Sequence, residues 1–435
     1  MSGFIQKLTK DSDEKSVLKR ATVWNLIASL TNASMTAIII FVLSWSNMKE
    51  EVGIFSIATA IAYQAQAVGF FGVRNLHIAD VKHEYTFSDY VWANLMSSVV
   101  MFIVMVFMIV PKGYAFDKML AIVFYTLYRA VDIYEAWFHD EYQRQGRVDI
   151  GLILLTVRYI VTLIVLGVVL ILTKSLVLAF AAPLVVSVIM IWLQNKPFAK
   201  QFSIKVEKLN KERVWEILKI SFPVCVATYV SMYLVNAGKY SIDNTLTDSF
   251  QAVFAVLIVP IFTINLLSTV IYKPYISVIA EHWAQEDYQQ FAKKTMSMCL
   301  VILALTLGIT LFGYVIGLWL LGVLYGTDLM QYRTAFVILL LGGGLNTYAQ
   351  FFAQILVIIR EQNKSLPLYI FAAAATFLIG DWMVGSYKID GAAWLYAFSA
   401  VILFAGSVWI IVSKYRRITR AKTAAKQKQE ECYGK

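Results

Sequence analysis

Three ionisable side chains lie close together inside one apolar stretch of the sequence: Arg129, Asp132 and Glu135. Their spacing of three residues places them on one face of a helix. A charged side chain at the centre of a bilayer costs about 2.5–3.5 kcal/mol on insertion scales, so these groups need ionic partners or water rather than lipid. Two interpretations are open: a fixed buried ion-pair network, or a gate or ion relay whose pairs exchange.

A fourth charged residue, Arg158, occurs in the next apolar stretch at the depth of Asp132. An arginine fork matches the geometry of a carboxylate, so we predict that Arg158 pairs with Asp132 or Glu135 and links two helices. Asp132, Glu135 and Arg158 are therefore the candidate gate or ion-pair residues.

Polar side chains in other apolar stretches predict a hydrated cavity. Asn32 belongs to a polar stripe at i+3 and i+4 spacing, and Asn346, Gln350 and Gln354 recur every four residues. Small polar residues also mediate helix packing, and Lys239 could instead reach the membrane interface by snorkelling. The candidate cavity residues are Asn32, Gln64, Gln66, Arg129, Asn236, Lys239, Asp243, Asn346, Gln350 and Gln354.

Two basic residues, Arg74 and Lys273, occupy matching places after the second and the eighth apolar stretch. Each is explained as a topology charge, because cytoplasmic loops collect Lys and Arg, and each could also bind a phosphate group at the inner mouth of a cavity. The sequence has no metal-binding spacing of histidine and cysteine, and it has no glycine-rich nucleotide loop. We therefore expect no metal site and no cofactor.

The elements that carry these residues are membrane helices. Of the 435 residues, 59% are hydrophobic and 15% are charged, against roughly 45–50% and 25% in soluble domains. Continuous apolar runs of about 20 residues predict helices and exclude strands. We predict an all-α integral membrane protein with twelve transmembrane helices, at 21–45, 52–73, 90–110, 118–139, 150–172, 175–194, 214–238, 250–272, 295–320, 333–359, 366–386 and 391–413.

Lys and Arg predict the orientation of these helices. The two ends and every second connection hold 28 of the 38 basic residues, whereas the alternate connections hold seven. Because basic residues remain on the cytoplasmic side, we expect both ends in the cytoplasm of a bacterial cell (inner) membrane. The net charge of +10 is thus explained by topology and indicates no nucleic-acid partner.

The order of the helices predicts two pseudo-symmetric six-helix lobes around a central cavity, an arrangement of repeated halves that secondary transporters use. The N-terminal lobe spans 21–194 and the C-terminal lobe spans 214–413. A cytoplasmic segment at 1–20, a cytoplasmic inter-lobe loop at 195–213 and a basic cytoplasmic tail at 414–435 complete the chain. Polar stripes at matching places of the first and seventh helices support the repeat.

Residues 221–223 (SFP), 236–243 (NAGKYSID), 252–274 and 135–147 carry a family resemblance. On these stretches the chain resembles the polysaccharide-transporter branch of the multidrug/oligosaccharidyl-lipid/polysaccharide exporter (MOP) superfamily. The resemblance implies a flippase that moves undecaprenyl-diphosphate-linked oligosaccharide from the inner to the outer leaflet by alternating access, for surface polysaccharide biosynthesis. It also implies a partly cationic cavity for the diphosphate, with the polyprenyl tail among membrane lipids.

Two other functions are consistent with the sequence. The first is an ion-coupled multidrug or metabolite antiporter of the same superfamily, with H⁺ or Na⁺ as the coupling ion. The second is a membrane polysaccharide polymerase, which the short predicted outer loops disfavour because they leave no room for a catalytic site. We therefore expect a transporter rather than an enzyme.

Overall fold

The computed structural model describes residues 14–80, 82–202 and 204–433, and residues 1–13 of the predicted N-terminal segment lie outside it. The described residues form helices and no β-strand. The first half contains α1 Glu14–Trp45, α2 Lys49–Phe70, α3 Val73–Ala79, α4 Phe87–Ile109, α5 Phe116–Arg144, α6 Val148–Thr173, α7 Leu176–Gln201 and α8 Lys211–Thr245. The second half contains α9 Asp248–Leu257, α10 Val259–Tyr272, α11 Tyr275–Ala284, α12 Tyr288–Phe312, α13 Leu318–Tyr325, α14 Arg333–Ile358 and α15 Ser365–Tyr433.

The described helices confirm the predicted twelve-span fold. Ten helical stretches are long and apolar enough to cross a membrane. One of them, Gln362–Ile418, contains two spans, because the backbone at Lys388 leaves the helical conformation (φ 51°, ψ −125°). The remaining span is α5, whose 29 residues suffice to cross but whose charged side chains make it less apolar than the ten. The chain is therefore a multi-pass membrane protein.

Local sequence signals explain where several helices begin and end. Thr86 and Asp89 form a capping box at the start of α4, in which each side chain accepts the backbone N–H of the other residue. Pro260 lies in the first turn of α10, where its missing N–H breaks the ladder between α9 and α10. Pro183 and Pro223, in contrast, lie inside α7 and α8 without ending them.

The chain divides into two compact units. The first comprises the residues up to Asp243 together with Thr247–Val256 and Leu324–Gly326, and the second comprises the rest. Most of α8 thus belongs to the first unit, and the predicted lobe boundary at 195–213 stays a prediction. Each half repeats one detail: a short helix, α3 or α11, follows its second span.

In the first unit, α2 is the central helix. In the most apolar part of α2, 89% of the residues are buried within the protein, compared with 28% in the most apolar part of α1. Since α2 carries Gln64 and Gln66, its position brings polar groups into the interior of the unit.

In the second unit, the most buried long helix is α14. In its most apolar part, 67% of the residues are buried within the protein. Its three consecutive glycines permit close packing: a methyl group on Gly343 would lie 2.7 Å from Ile261, and one on Gly344 would lie 2.2 Å from Thr306. These glycines therefore allow tight helix packing.

Candidate functional site

The charged residues of α5 form a buried ion-pair network with α6. Arg158 has no exposed side-chain surface, and its Nε donates to Glu135 Oε2 at 2.7 Å. Its Nη2 donates to Asp132 Oδ1 at 2.5 Å. The predicted pairing of Arg158 is therefore confirmed with both carboxylates, and one guanidinium bridges two turns of α5.

Two predicted cavity residues belong to the same network. Arg129 Nη2 lies 3.0 Å from Asp132 Oδ2, and the amide of Gln66 donates to the same oxygen at 2.9 Å. Gln66 also donates to the backbone carbonyl of Arg129 at 2.7 Å. We call Gln66, Arg129, Asp132, Glu135 and Arg158 the Arg158 cluster. Because Gln66 is in α2, the cluster joins three helices of the first unit.

The formal charges of the Arg158 cluster cancel, with two arginines against two carboxylates. Such balance is what a buried site requires, because an uncompensated buried ion costs several kcal/mol. Hydrogen-bonding capacity remains nevertheless: Nε and Nη1 of Arg129 and Oε1 of Glu135 are buried and have no hydrogen-bond partner in the described ranges of the chain. Arg129 lies over the ring of Tyr63, 4.7 Å from its centroid. The cluster can thus accept a further ligand or proton.

A second group of predicted cavity residues lies between α2 and α8. The ammonium group of Lys239 donates to Thr59 Oγ1 at 3.5 Å, and Gln64 donates to the carbonyl of Tyr229 at 2.8 Å. Asn236 donates to the carbonyl of Met232 in its own helix. Among the described residues, no carboxylate lies within ion-pair distance of Lys239. Within the described part of the chain, the partner of this buried amine is thus the neutral hydroxyl oxygen of Thr59.

Asp243 has different partners, although it shares a helix face with Lys239. Its carboxylate accepts hydrogen bonds from the hydroxyl of Tyr114 and, at 3.2 Å each, from Lys112 and Lys118. Lys118 also pairs with Asp248 at 2.7 Å. These contacts fasten the end of α8 to the connection between α4 and α5 and to the first turn of α5. Sequence reasoning missed them because it counted both lysines only as charges of a predicted outer connection.

The other predicted residues are spread over the two units. Asn32 of α1 is exposed in the first unit. In the second unit, Asn346 and Gln350 are half-buried and Gln354 is exposed. The structure does not group Asn32 with the Arg158 cluster, and its role as a cavity residue stays a prediction, as do the roles of the other three.

The two inner-mouth candidates differ in their surroundings. Arg74 Nε pairs with the buried Asp140 at 3.1 Å, while about half of its side chain stays exposed. Lys273 is exposed at the end of α10. Phosphate binding by either residue stays a prediction, and Arg74 would have to leave Asp140 in order to engage a phosphate fully.

A further polar cluster was not predicted. His77 of α3 lies 3.0 Å from the Glu141 carboxylate, and Arg144 pairs with Glu141 at 2.7 Å and with Asp80 at 3.5 Å. The hydroxyl of Tyr90 donates to Asp80 at 2.9 Å. We call these five buried residues the His77 cluster. One sequence signal could have indicated this cluster: all five residues lie near the predicted cytoplasmic ends of membrane helices.

Proton affinities within the His77 cluster follow from its contacts. Burial lowers the pKa of His77 below its usual 6.5, although the hydrogen bond to Glu141 opposes this. Burial favours the neutral form of Asp80, but the backbone N–H groups of Glu84 and Tyr85 and the hydroxyl of Tyr90 hold its pKa below the ordinary value. At neutral pH the cluster thus contains a neutral imidazole among ionised carboxylates.

Comparison with known proteins gives a fold. No protein-family model matches the sequence, and no curated protein is similar to it at a significant level. A multidrug resistance MATE family transporter of the MOP superfamily, solved in an inward-facing conformation, matches with a TM-score of 0.66 and 14% identity, over 94% of this chain and 99% of that chain. The Vibrio cholerae MATE transporter VcmN matches with a TM-score of 0.61 and 12% identity, over 94% and 98%.

A third solved structure, a MOP superfamily transporter from Pyrococcus furiosus, has a TM-score of 0.54 and 13% identity, over 94% of this chain and 97% of that chain. It is described as having a binding pocket of reverse polarity that suggests a different function. None of these structures singles out the polysaccharide-transporter branch that the sequence resembles. At these identities the likeness concerns the fold: the chain adopts the fold of the MATE transporters of the MOP superfamily.

Proposed function

We propose that the protein is a secondary transporter that moves an organic solute across the membrane by alternating access, driven by an ion gradient. The Arg158 cluster is the observation that carries this proposal, because ionisable side chains in a membrane interior, of which the cluster has four, mark ion or substrate pathways. The likeness to MATE transporters along nearly the whole chain supports it. The absence of a nucleotide-binding motif in the sequence supports an ion gradient as the energy source.

The first assignment of substrate is that of an ion-coupled multidrug or metabolite antiporter. Similar structures include a transporter described as a multidrug resistance protein. In this assignment, Asp132 and Glu135 exchange the coupling ion while an amphipathic solute crosses in the opposite direction.

A second candidate, the flippase of diphosphate-linked oligosaccharides, is favoured by Lys239. This amine is 8% exposed, and its partner is the neutral hydroxyl of Thr59. A buried cation without a counter-ion attracts an anion, and a diphosphate would supply that charge. The sequence resemblance supports the same substrate class.

Reconstitution into proteoliposomes tests the proposal. Vesicles under an imposed H⁺ or Na⁺ gradient receive either a cationic dye or a fluorescent polyprenyl-diphosphate oligosaccharide, whose leaflet is read with a membrane-impermeant quencher. We expect gradient-driven movement by the wild type and its loss in Asp132→Asn. As a control, Asp328→Asn alters a carboxylate outside the Arg158 cluster.

The outcomes separate the candidates. Dye movement without lipid movement supports the antiporter, whereas lipid movement that Lys239→Ala abolishes supports the flippase. Normal transport by Asp132→Asn at lowered protein abundance would assign the cluster to structure alone. Movement of neither probe under any gradient would reject both assignments.

A further inference from the structure

Two buried polar atoms in α5 face each other without touching. Glu135 Oε1 and His139 Nε2 are 3.7 Å apart, one helical turn along the same face. Neither atom has a hydrogen-bond partner among the residues that the structure describes, and both atoms are buried. Buried polar atoms are almost always satisfied, so a facing pair of unsatisfied atoms needs a specific explanation.

The environment of Glu135 explains why Oε1 is left over. Arg158 approaches the other carboxylate oxygen, Oε2, with two of its nitrogens, Nε at 2.7 Å and Nη2 at 2.5 Å. The same arginine also binds Asp132, so its capacity is divided between two carboxylates. Oε1 therefore keeps its lone pairs in the protein interior, where an acceptor without a donor is energetically costly.

His139 is held beside Glu135 by close packing against α6. A methyl group on Gly151 would lie 3.1–3.3 Å from the ring and the Cα and Cβ atoms of His139, so glycine leaves the room that the imidazole occupies. The His139 side chain is 10% exposed, whereas that of Glu135 is 1% exposed. Of the two groups, His139 is thus the one nearer to water.

The charges around this pair come from three helices. On α5 itself these are Asp132 and, beside His139, Asp140. α6 contributes Arg158 and α3 contributes Arg74, while α2 and α7 present the neutral Gln66 and Ser187 to the Arg158 cluster. Each member of the pair thus lies near one arginine and one carboxylate: Arg158 and Asp132 beside Glu135, and Arg74 and Asp140 beside His139.

We propose that Glu135 Oε1 is a proton-binding site that exchanges its proton with the aqueous phase through His139, which makes H⁺ the coupling ion of the proposed transporter. In the exchange, the N–H bond at Nε2 of the imidazolium breaks and an O–H bond forms at Oε1. The imidazole becomes neutral and the carboxylate loses its charge. Arg158 then loses the negative charge of one of its two carboxylate partners and keeps its contact with Asp132, so protonation changes the pairing that joins α5 to α6. The role of H⁺ as the coupling ion rests on the proposed function, whereas the proton-binding site on Glu135 does not.

Infrared difference spectroscopy of the purified protein tests the site without any transport. A pH titration of wild-type protein in nanodiscs is expected to show the carbonyl band of a buried carboxylic acid, which Glu135→Gln removes. Glu286→Gln, at an exposed carboxylate, serves as the matched control and should keep the band. An unchanged band in Glu135→Gln would overturn the site.

The relay role of His139 has its own readout. After a pH jump, a soluble indicator dye should record proton uptake that His139→Gln slows by about tenfold or more, because a positioned general base contributes at least that much. His282→Gln is the matched control, since His282 lies in the second unit. Equal rates in the wild type and His139→Gln would exclude the relay. If His139→Gln does not fold, the jump is repeated with Gly151→Ala, which crowds the same ring.

Transport then tests the coupling. With the proton site established, solute movement driven by an H⁺ gradient but not by a Na⁺ gradient, and lost in Glu135→Gln, is the expected result. Na⁺-driven movement would overturn H⁺ as the coupling ion. Absence of any solute movement would reject the proposed function and the coupling with it, while the infrared band would still report the proton site.

Discussion

Arg158 Nη2 and Asp132 Oδ1 lie 2.5 Å apart, in side chains that are 0% and 7% exposed. The two residues belong to α6 and α5, so the ion pair links two membrane helices. Neither charged group could face lipid without a large cost in free energy. Glu135 binds the same guanidinium, so two buried carboxylates share one arginine.

Replacing Arg158 with leucine should destabilise the first unit strongly. The change leaves Asp132 and Glu135 buried without their main partner, and removing one side of a buried pair costs about 3–5 kcal/mol. Thermal unfolding in detergent, followed by tryptophan fluorescence, measures the loss. Arg213→Gln is the control, since Arg213 is about half exposed and lies 3.6 Å from Asp89; it should cost under about 1 kcal/mol. Similar melting of the two variants would contradict the role of the Arg158 cluster.

Gly53→Ala should also destabilise the first unit. A methyl group at Gly53 would lie 2.1 Å from the backbone carbonyl oxygen of Asp248, and backbone cannot rotate away as a side chain can. Overpacking of this kind typically costs about 1–3 kcal/mol. Gly167→Ala is the control in α6, because no atom lies within 4 Å of its added methyl group. The prediction fails if both alanine variants melt at the temperature of the wild type.

The contribution of Glu361 to stability should disappear in acid. Hydrogen bonds from Lys364 and Lys414 lower the pKa of this carboxyl from 4.5 to about 2, so the folded protein favours its ionised form. The stabilisation is complete above pH 4.5 and is lost as the pH falls towards 2. Melting temperatures of the wild type and Glu361→Gln, compared across this range, should therefore converge. A constant difference would argue against the pairing.

His77 should make the protein less stable in mild acid. Because burial lowers the pKa of His77 below 6.5, the unfolded chain binds a proton that the folded chain refuses. The free energy of unfolding should thus decrease as the pH falls below 6.5, and His77→Gln should remove part of this slope. Chemical unfolding at a series of pH values measures it, with His282→Gln as the control. Parallel slopes for wild type and His77→Gln would refute the assignment.

The fold was largely predictable because a membrane span is recognised from the summed hydropathy of about 20 residues, and a few polar or charged residues change that sum little. α5 illustrates this point: its span was predicted at 118–139 in spite of its charges, and the helix runs from Phe116 to Arg144. The short helices α3 and α11 were missed. With seven and ten residues, they are too short for such a sum and fell inside predicted loops.

The site was predictable only where depth in the membrane decides the partner. Arg158 and Asp132 lie at one depth in adjacent spans, and they pair as expected. Asp243 shows the limit of this reasoning. Its helix face indicated a place beside Lys239, but its partner Lys112 lies in the connection after α4 and its partner Lys118 in the first turn of α5. A helix face gives a direction, whereas a partner depends on tertiary packing.

The break at Lys388 has a consequence for how the chain is made. One residue with left-handed φ separates two spans, and helix resumes directly on both sides of it. During synthesis, the second of these spans therefore follows the first without an intervening polar loop. We expect the last two spans to enter the membrane together as one helical hairpin. Truncation after Lys388 would remove the second span and should therefore impair insertion of the first.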